Sequence, residues 1–215
     1  MWEEAEKFLI KDKYIGPLVK KYGSCRIKPR VHIDYFQGLV GEIIGQQLSG
    51  RVADVIYDRL KNKVKGRLTP RKILALSDQE LRNCGMAWAK VRSIKDLAQR
   101  VKDRKLHIRK LNELPDDEVM RELIAVKGIG RWTAEMFLMF TLGRPDIFPV
   151  DDLGIKKGLR LLTSGSENRK VRRRASGSGR MKKEMTQEEM SNFALRWKPY
   201  RTLASWYIWQ GLDNG

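Results

Sequence analysis

An all-α fold is predicted by three features of the chain: apolar residues recur at helical spacing, helix-start signals follow one another, and no segment alternates apolar and polar residues over strand length. The clearest stripe is Phe36, Leu39, Val40, Ile43 and Ile44, at i, i+3, i+4, i+7 and i+8, which gives one helix face to bury. Val52, Val55, Ile56 and Leu60 repeat the pattern after the polar interruption Gly45-Gln46-Gln47-Leu48-Ser49-Gly50, where Ser49 is expected to cap the second helix. Thr69-Pro70 reads as a cap followed by proline at the first helical position, and Ser77 to Glu80 and Thr186 to Glu189 both spell capping boxes. Val91, Ile94, Ala98 and Val101 carry the same period, as do Val119 and Leu123 behind Pro115-Asp116-Asp117-Glu118. No repeat of fixed length is present.

The 215 residues are enough for one ordinary domain or two small ones with a real core. With 44 Lys and Arg against 26 Asp and Glu, the formal charge is +18, so the expected partner is a phosphate polyanion or an anionic lipid surface. Cys25 and Cys84 are the only cysteines, which excludes disulfide frameworks, four-cysteine zinc sites and cysteine-held iron–sulfur clusters. His32 and His107 are the only histidines and stand far apart, which disfavours histidine-rich metal sites and Ser–His or Cys–His pairs. The apolar runs are short and broken by charge, and Met1-Trp2-Glu3-Glu4 lacks the regions of a signal peptide, so a soluble intracellular protein is expected.

Residues 164–184 depart from the helical pattern, being rich in Ser, Gly, Arg and Lys with almost nothing apolar to bury. A mobile basic insertion is expected, more plainly a solvated stretch than a recognition element, with salt-sensitive attraction to phosphate. A nuclear-import signal has weak support from such a run.

The most informative stretch runs from Leu123 to Lys157. One helix ends at Val126-Lys127-Gly128-Ile129-Gly130 and the next begins at once with Arg131-Trp132-Thr133-Ala134. Two glycines one residue apart permit a tight hairpin with positive φ and leave the next helix's first N–H groups uncovered, at the positive end of its dipole. Such a tip can hold a phosphate, although a lone Gly-x-Gly more often marks an ordinary turn.

Residues 123–134, Leu-Ile-Ala-Val-Lys-Gly-Ile-Gly-Arg-Trp-Thr-Ala, resemble the helix-hairpin-helix of the base-excision DNA glycosylase superfamily. About twenty residues further on, Phe148-Pro149-Val150-Asp151-Asp152-Leu153-Gly154-Ile155-Lys156 resembles that superfamily's catalytic-aspartate segment, in the branch typified by AlkA and the yeast 3-methyladenine glycosylases. Ile43 to Ser49 is similar to the DNA-facing loop of the family, Leu81 to Ala98 to a middle helix pair, and Arg196 to Arg201 with Ile208-Trp209 to the last helices. These segments stand in family order and cover most of residues 30–212.

What the resemblance implies is an all-α, two-lobed fold with an interlobe active-site cleft and without the N-terminal β-rich domain of AlkA. Residues 1–34 with 151–215 would form one lobe and 35–150 the other, the latter containing the hairpin at 123–142 and the former the basic insertion at 164–184. The implied activity is that of a monofunctional DNA glycosylase of the 3-methyladenine type, which flips an alkylated purine out of duplex DNA and hydrolyses its N-glycosidic bond. The implied partner is double-stranded DNA with alkylation damage, bound by a monomer without membrane contact, in the cytoplasm of a prokaryote or the nucleus of a eukaryote. No cofactor is implied beyond a monovalent cation shared between hairpin carbonyls of residues 126–131 and a DNA phosphate, positional rather than catalytic.

By the same resemblance Asp152 is the catalytic carboxylate, placed to stabilise the oxocarbenium-like sugar and to orient or deprotonate the attacking water. Position alone favours a plainer role for Asp151 and Asp152, capping a helix through Ile155 and Leu159; the family spacing assigns the chemistry to Asp152 and leaves the cap to Asp151. Trp132, Met136, Leu153 and Trp209 match base-pocket positions, with Met136 and Leu153 standing where AlkA has aromatic rings. A cationic base on an aromatic face gains about 0.5–2 kcal/mol, while core packing is the competing reading for both tryptophans.

Trp132 also occupies the place of the Schiff-base lysine of bifunctional members, so no covalent imine and no strand-cleaving step are expected. Gln46, Gln47, Leu48 and Ser49 are expected at the DNA, with Gln47 at the position of AlkA's intercalating leucine, against the alternative of a polar loop satisfying its own backbone. Lys127, Gly128, Ile129, Gly130, Arg131 and Thr133 are the hairpin's DNA-binding candidates. The rival readings are a helix-hairpin-helix glycosylase for deaminated or oxidised bases and a noncatalytic DNA-binding scaffold. A ribosomal or membrane-surface protein is disfavoured by the large patterned core.

Overall fold

The structure, a computed structural model, describes residues 2–28, 34–171 and 185–213. Its regular elements are helices: α1 Glu3–Leu9, α2 Gly16–Tyr22, α3 Tyr35–Gly45, α4 Gly50–Lys63, α5 Pro70–Ala75, α6 Asp78–Asn83, α7 Trp88–Lys102, α8 Asp116–Ile124, α9 Arg131–Met136, α10 Leu153–Val171, α11 Gln187–Ala194 and α12 Arg201–Asp213. No strand occurs among the described residues. A π turn, Phe137–Thr141, continues α9, a feature that no sequence signal announced.

The chain divides into two compact units, residues 28–143 and residues 1–27 with 144–215. In the first unit, α3 packs on α4 and α7, α5 on α7, and α8 on α9. The α3 stripe read from the sequence is buried along its whole length, with Phe36, Leu39, Val40, Ile43 and Ile44 all at 2% exposure or less. Helix α4 buries only part of its expected face: Ile56 and Leu60 are inside, whereas Val52 and Val55 remain 45% exposed. The capping box of α6 forms, with Glu80 N donating to Ser77 Oγ and Ser77 N to the Glu80 carboxylate. Thr69 caps α5 ahead of Pro70, and Asp34 caps α3 while also accepting from Arg67 Nε at 3.0 Å. Ser49 takes the N-cap position of α4 as expected, its carbonyl accepting from Ala53 N, but its side chain makes no bond to the helix.

In the second unit, α12 packs against α1, α2 and α10. Tyr207 Oη donates to Gly23 O at 2.8 Å, and Trp2 Nε1 to Ile27 O at 3.0 Å. Residues 144–150, assigned from the sequence to the central lobe, belong with α12 for a physical reason. Asp146 receives the Arg201 guanidinium at two points, 2.6 and 2.9 Å, and Thr202 Oγ1 accepts from Ile147 N and donates to Arg144 O. The capping box of Thr186 and Glu189 starts α11.

Helical backbone in α10 runs through to Val171, so the expected loop does not begin at 164; the remainder of that insertion, 172–184, lies outside the described residues. Composition alone does not separate such a continuation of helical backbone from loop. Among the described residues no helix is long and apolar enough to cross a membrane, and no group of three His, Cys, Asp or Glu side chains could hold a metal ion.

Candidate active site

The candidate carboxylate sits on a turn closed by Asp152 N donating to Pro149 O at 3.1 Å. From there α10 begins, and Asp152 Oδ1 accepts the N–H of Ile155 at 2.8 Å, which makes Asp152 itself the helix cap. The same oxygen accepts Trp209 Nε1 at 2.9 Å. Two donors on one oxygen, one from the start of α10 and one from α12, hold the partly buried carboxylate in a single orientation.

The cap expected of Asp151 therefore falls to its neighbour. Asp151 Oδ1 instead accepts from Gln187 Nε2 and lies 3.8 Å from Lys156 Nζ.

Gly154 is a residue of this site that the sequence reading passed over. A Cβ there would stand 2.9 Å from Trp209 Cδ1 and 3.0 Å from both Trp209 Nε1 and Asp152 Oδ1, so the indole reaches the carboxylate only across a bare backbone. Its signal in sequence was a small residue two places after the aspartate, in a helix start where size has no bearing on capping.

Trp209 is partly buried and uses its N–H on the carboxylate, whereas Leu153 is 80% exposed. Leu153, Lys156, Arg160, Met185 and Met190 line a cavity of about 510 Å³ that neither Asp152 nor Trp209 lines. Trp132 and Met136, the other expected pocket residues, belong to the unit formed by residues 28–143. Trp132 is 40% exposed at the start of α9, and Met136 is buried at 6%.

In that unit the hairpin between α8 and α9 has only one of its two glycines in the left-handed region. Gly128 has φ +78°, and a Cβ there would lie 2.1 Å from Ser93 Oγ, so the turn requires glycine twice over. Gly130 has φ −88° and caps α9 in an extended conformation that leaves no side chain over the helix's first N–H groups. Lys127, Gly128, Gly130 and Arg131 are exposed, whereas the side chains of Ile129 and Thr133 are buried at 3% and 4%, so Ile129 anchors the hairpin from below. Arg131 Nε donates to Glu135 Oε1 at 2.9 Å. Lys127 N donates to Asp96 Oδ2 at 2.9 Å; burial alone would raise the Asp96 carboxyl, but this bond and the Arg100 guanidinium outweigh it and hold it below the ordinary range.

The DNA-facing loop candidates lie in the same unit. Gln47 is exposed with φ +56°, uncommon for a residue with a side chain, and Leu48 is 38% exposed. Gln46 is turned onto the hairpin: its Nε2 donates to Gly128 O at 3.0 Å and to Thr133 Oγ1 at 3.1 Å. Lys90, Ser93 and Asp96, one face of α7, support these segments. Nothing in sequence separates three polar residues at helical spacing from an ordinary solvated face, so this support carried no signal.

The family model for HhH-GPD superfamily base excision DNA repair proteins matches residues 40–181. The chain belongs to this superfamily. An alkylbase DNA glycosidase-like protein of Schizosaccharomyces pombe is 29% identical over 97% of the chain and 93% of its own length. DNA-3-methyladenine glycosylase 1 of the same yeast is 31% identical over 90% of the chain and 79% of its own length. The solved structure of the Schizosaccharomyces pombe 3-methyladenine DNA glycosylase with abasic DNA superposes with a TM-score of 0.77 at 28% identity, covering 98% of this chain and 97% of that one. Superfamily membership accounts for the all-helical architecture.

Proposed function

We propose that the chain is a monofunctional DNA glycosylase that removes alkylated purines such as 3-methyladenine from duplex DNA by hydrolysis and leaves an abasic site. The observation that carries this reading is the Asp152 carboxylate, fixed by Ile155 N and Trp209 Nε1 at the start of α10. The names of the similar proteins supply its substrate class.

As the bond from C1′ to the base nitrogen breaks, its electron pair moves onto the base and neutralises an alkylated purine's positive charge. The sugar is left electron-poor. A carboxylate that is already oriented stabilises that charge without reorganising, and such preorganised groups are worth on the order of 10²–10³ in rate. Water then adds to C1′ and loses its proton, with the Asp152 carboxylate as the candidate acceptor. Trp132 carries no amine, so no imine forms at that position and the strand is not cut.

Arg131 and Lys127 face phosphate, and the first turn of α9, capped by Gly130 with no side-chain bond, adds N–H donors of the same preference. Gln47 and Leu48, exposed at the tip of their loop, are the wedge that occupies the place of the extruded nucleotide. A monovalent cation on hairpin carbonyls between residues 126 and 131 belongs to the same proposal. The donor set is neutral backbone oxygen, each with two lone pairs, one of which on Val126 serves Ile129 N and one on Gly128 serves Gln46; such donors fit a weakly charged ion. It would bridge the hairpin to a phosphate and take no part in bond cleavage.

The test is release of free base from duplexes carrying 3-methyladenine, 1,N6-ethenoadenine, hypoxanthine, uracil or 8-oxoguanine, scored before and after alkali. Release of the alkylated purine with strand breaks only after alkali is expected, and Asp152→Asn should lower the single-turnover rate by on the order of 10² or more while leaving duplex binding intact. Alkali-independent nicking, or an Asp152→Asn variant with full activity, refutes the mechanism.

A further inference from the structure

We infer that Gln46 is a positioning residue that locks the wedge loop to the phosphate-facing hairpin, so that grip on the backbone and extrusion of the base are one mechanical event. This inference rests on the proposed glycosylase reading and deepens it.

Gln46 has one side-chain amide, with two hydrogens, and both are engaged across more than eighty residues of sequence, on Gly128 O and Thr133 Oγ1. Its own carbonyl, with that of Ile44, accepts Lys90 Nζ at 2.6 and 2.5 Å. Burial lowers the Lys90 ammonium from its ordinary pKa, consistent with a cation drawn out of solvent to close the end of α3. One turn along the same face of α7, Ser93 supports Gly128 from beneath, and a further turn on, Asp96 accepts Lys127 N. Lys90, Ser93 and Asp96, at i, i+3 and i+6, are therefore one rail on which both segments rest, and Gln46 is the direct tie between them.

The backbone of the loop agrees. Lys65 and Arg104 also have positive φ, but each follows a cap residue with ψ near zero, the ordinary way for a helix to stop. Gln47 follows Gln46 in an extended conformation, φ −51° and ψ 125°, so its left-handed geometry is not a helix stop of that kind. Such strain persists where surrounding contacts over-determine it, and the bonds on both sides of Gln46 do so. On this inference Gln46 acts within the protein, and Gln47 and Leu48 meet the duplex.

The test uses Gln46→Met, which keeps side-chain length without a donor, and Thr133→Val, which removes one acceptor. Circular dichroism and thermal melting establish that each variant is folded. Hydrogen exchange at amides 128–133 of the free protein should speed up in Gln46→Met. Affinity for undamaged duplex should stay within about twofold, while single-turnover base release and the fluorescence rise of 2-aminopurine beside the lesion should both slow about tenfold, the loss expected for two such bonds. The double variant should lose little beyond Gln46→Met alone. Unchanged exchange and unchanged release overturn the inference, as does a loss of duplex affinity equal to the loss of release, which would make Gln46 a direct DNA contact. If the wild type releases no base, the glycosylase reading fails separately, and the exchange measurement still decides whether Gln46 ties the loop to the hairpin.

Discussion

Replacing Gly128 by alanine puts a methyl group where the hairpin has none to spare. The residue sits at φ +78°, which costs an L side chain about 1–2 kcal/mol. The new Cβ would stand 2.1 Å from Ser93 Oγ and 3.1 Å from Ser93 Cβ, so the serine must rotate and give up its 2.9 Å bond to Ala89 O, about 0.5–1.5 kcal/mol. Residual crowding against Ser93 Cβ adds about 1 kcal/mol. The expected loss is about 2.5–4.5 kcal/mol in urea denaturation, or roughly 5–18 °C in melting temperature for a chain of this size. Gly130→Ala is the matched control: its φ is −88°, nothing lies within 4 Å, and only a slightly poorer cap is introduced, within about 1 kcal/mol. In a Ser93→Ala background, where the hydroxyl bond to Ala89 O is already gone, Gly128→Ala should cost about 0.5–1.5 kcal/mol less than in the wild type. Equal destabilisation by the two glycine replacements, or an equal cost of Gly128→Ala in both backgrounds, would refute the geometric argument.

Asp152→Ala should destabilise by about 2–3 kcal/mol, because it removes a helix cap and leaves Ile155 N and Trp209 Nε1 without their acceptor. Asp152→Asn, which retains an acceptor oxygen, should stay within about 1 kcal/mol of wild type; urea curves of equal midpoint for the two variants would contradict the assigned bonds. At acid pH, Glu80 should titrate at about 2, held down first by its bond with Lys63 and then by the N–H and hydroxyl of Ser77. A carboxyl lowered in the folded state contributes stability that is fully present above its ordinary value of 4.5 and is lost as pH falls towards and through about 2. Carboxyl-carbon NMR of the wild type and of Lys63→Met checks this, the variant titrating higher; a wild-type midpoint of about 4 would be the ordinary value and would contradict the pairing.

Much of the fold was legible because helix periodicity and capping chemistry are local. The α3 stripe and the boxes at Ser77 and Thr186 need only a few neighbouring residues, and each formed as written. Long-range contacts were another matter. Whether Asp151 or Asp152 caps α10 depends on a turn bond to Pro149 and an indole supplied 57 residues away, neither of which leaves a trace in spacing. Gly154 and Ser93 matter through what approaches them, and a sequence records only what they are. The two hairpin glycines divide the roles between them: Gly128 takes the positive φ, and Gly130 leaves the helix start open. Gln46 shows the same limit: nothing in the spacing of a polar loop residue announces its bonds to Gly128 and Thr133, more than eighty residues away.

The division of the chain has a temporal consequence. Residues 28–143 form one uninterrupted stretch, whereas the other unit is assembled from 1–27 and 144–215. As a ribosome delivers the polypeptide, the uninterrupted unit can complete itself first, while α1 and α2 must wait for α12, against which they pack. Leu9 and Val19, buried in the finished protein, are therefore made before the uninterrupted unit yet shielded from water only after it.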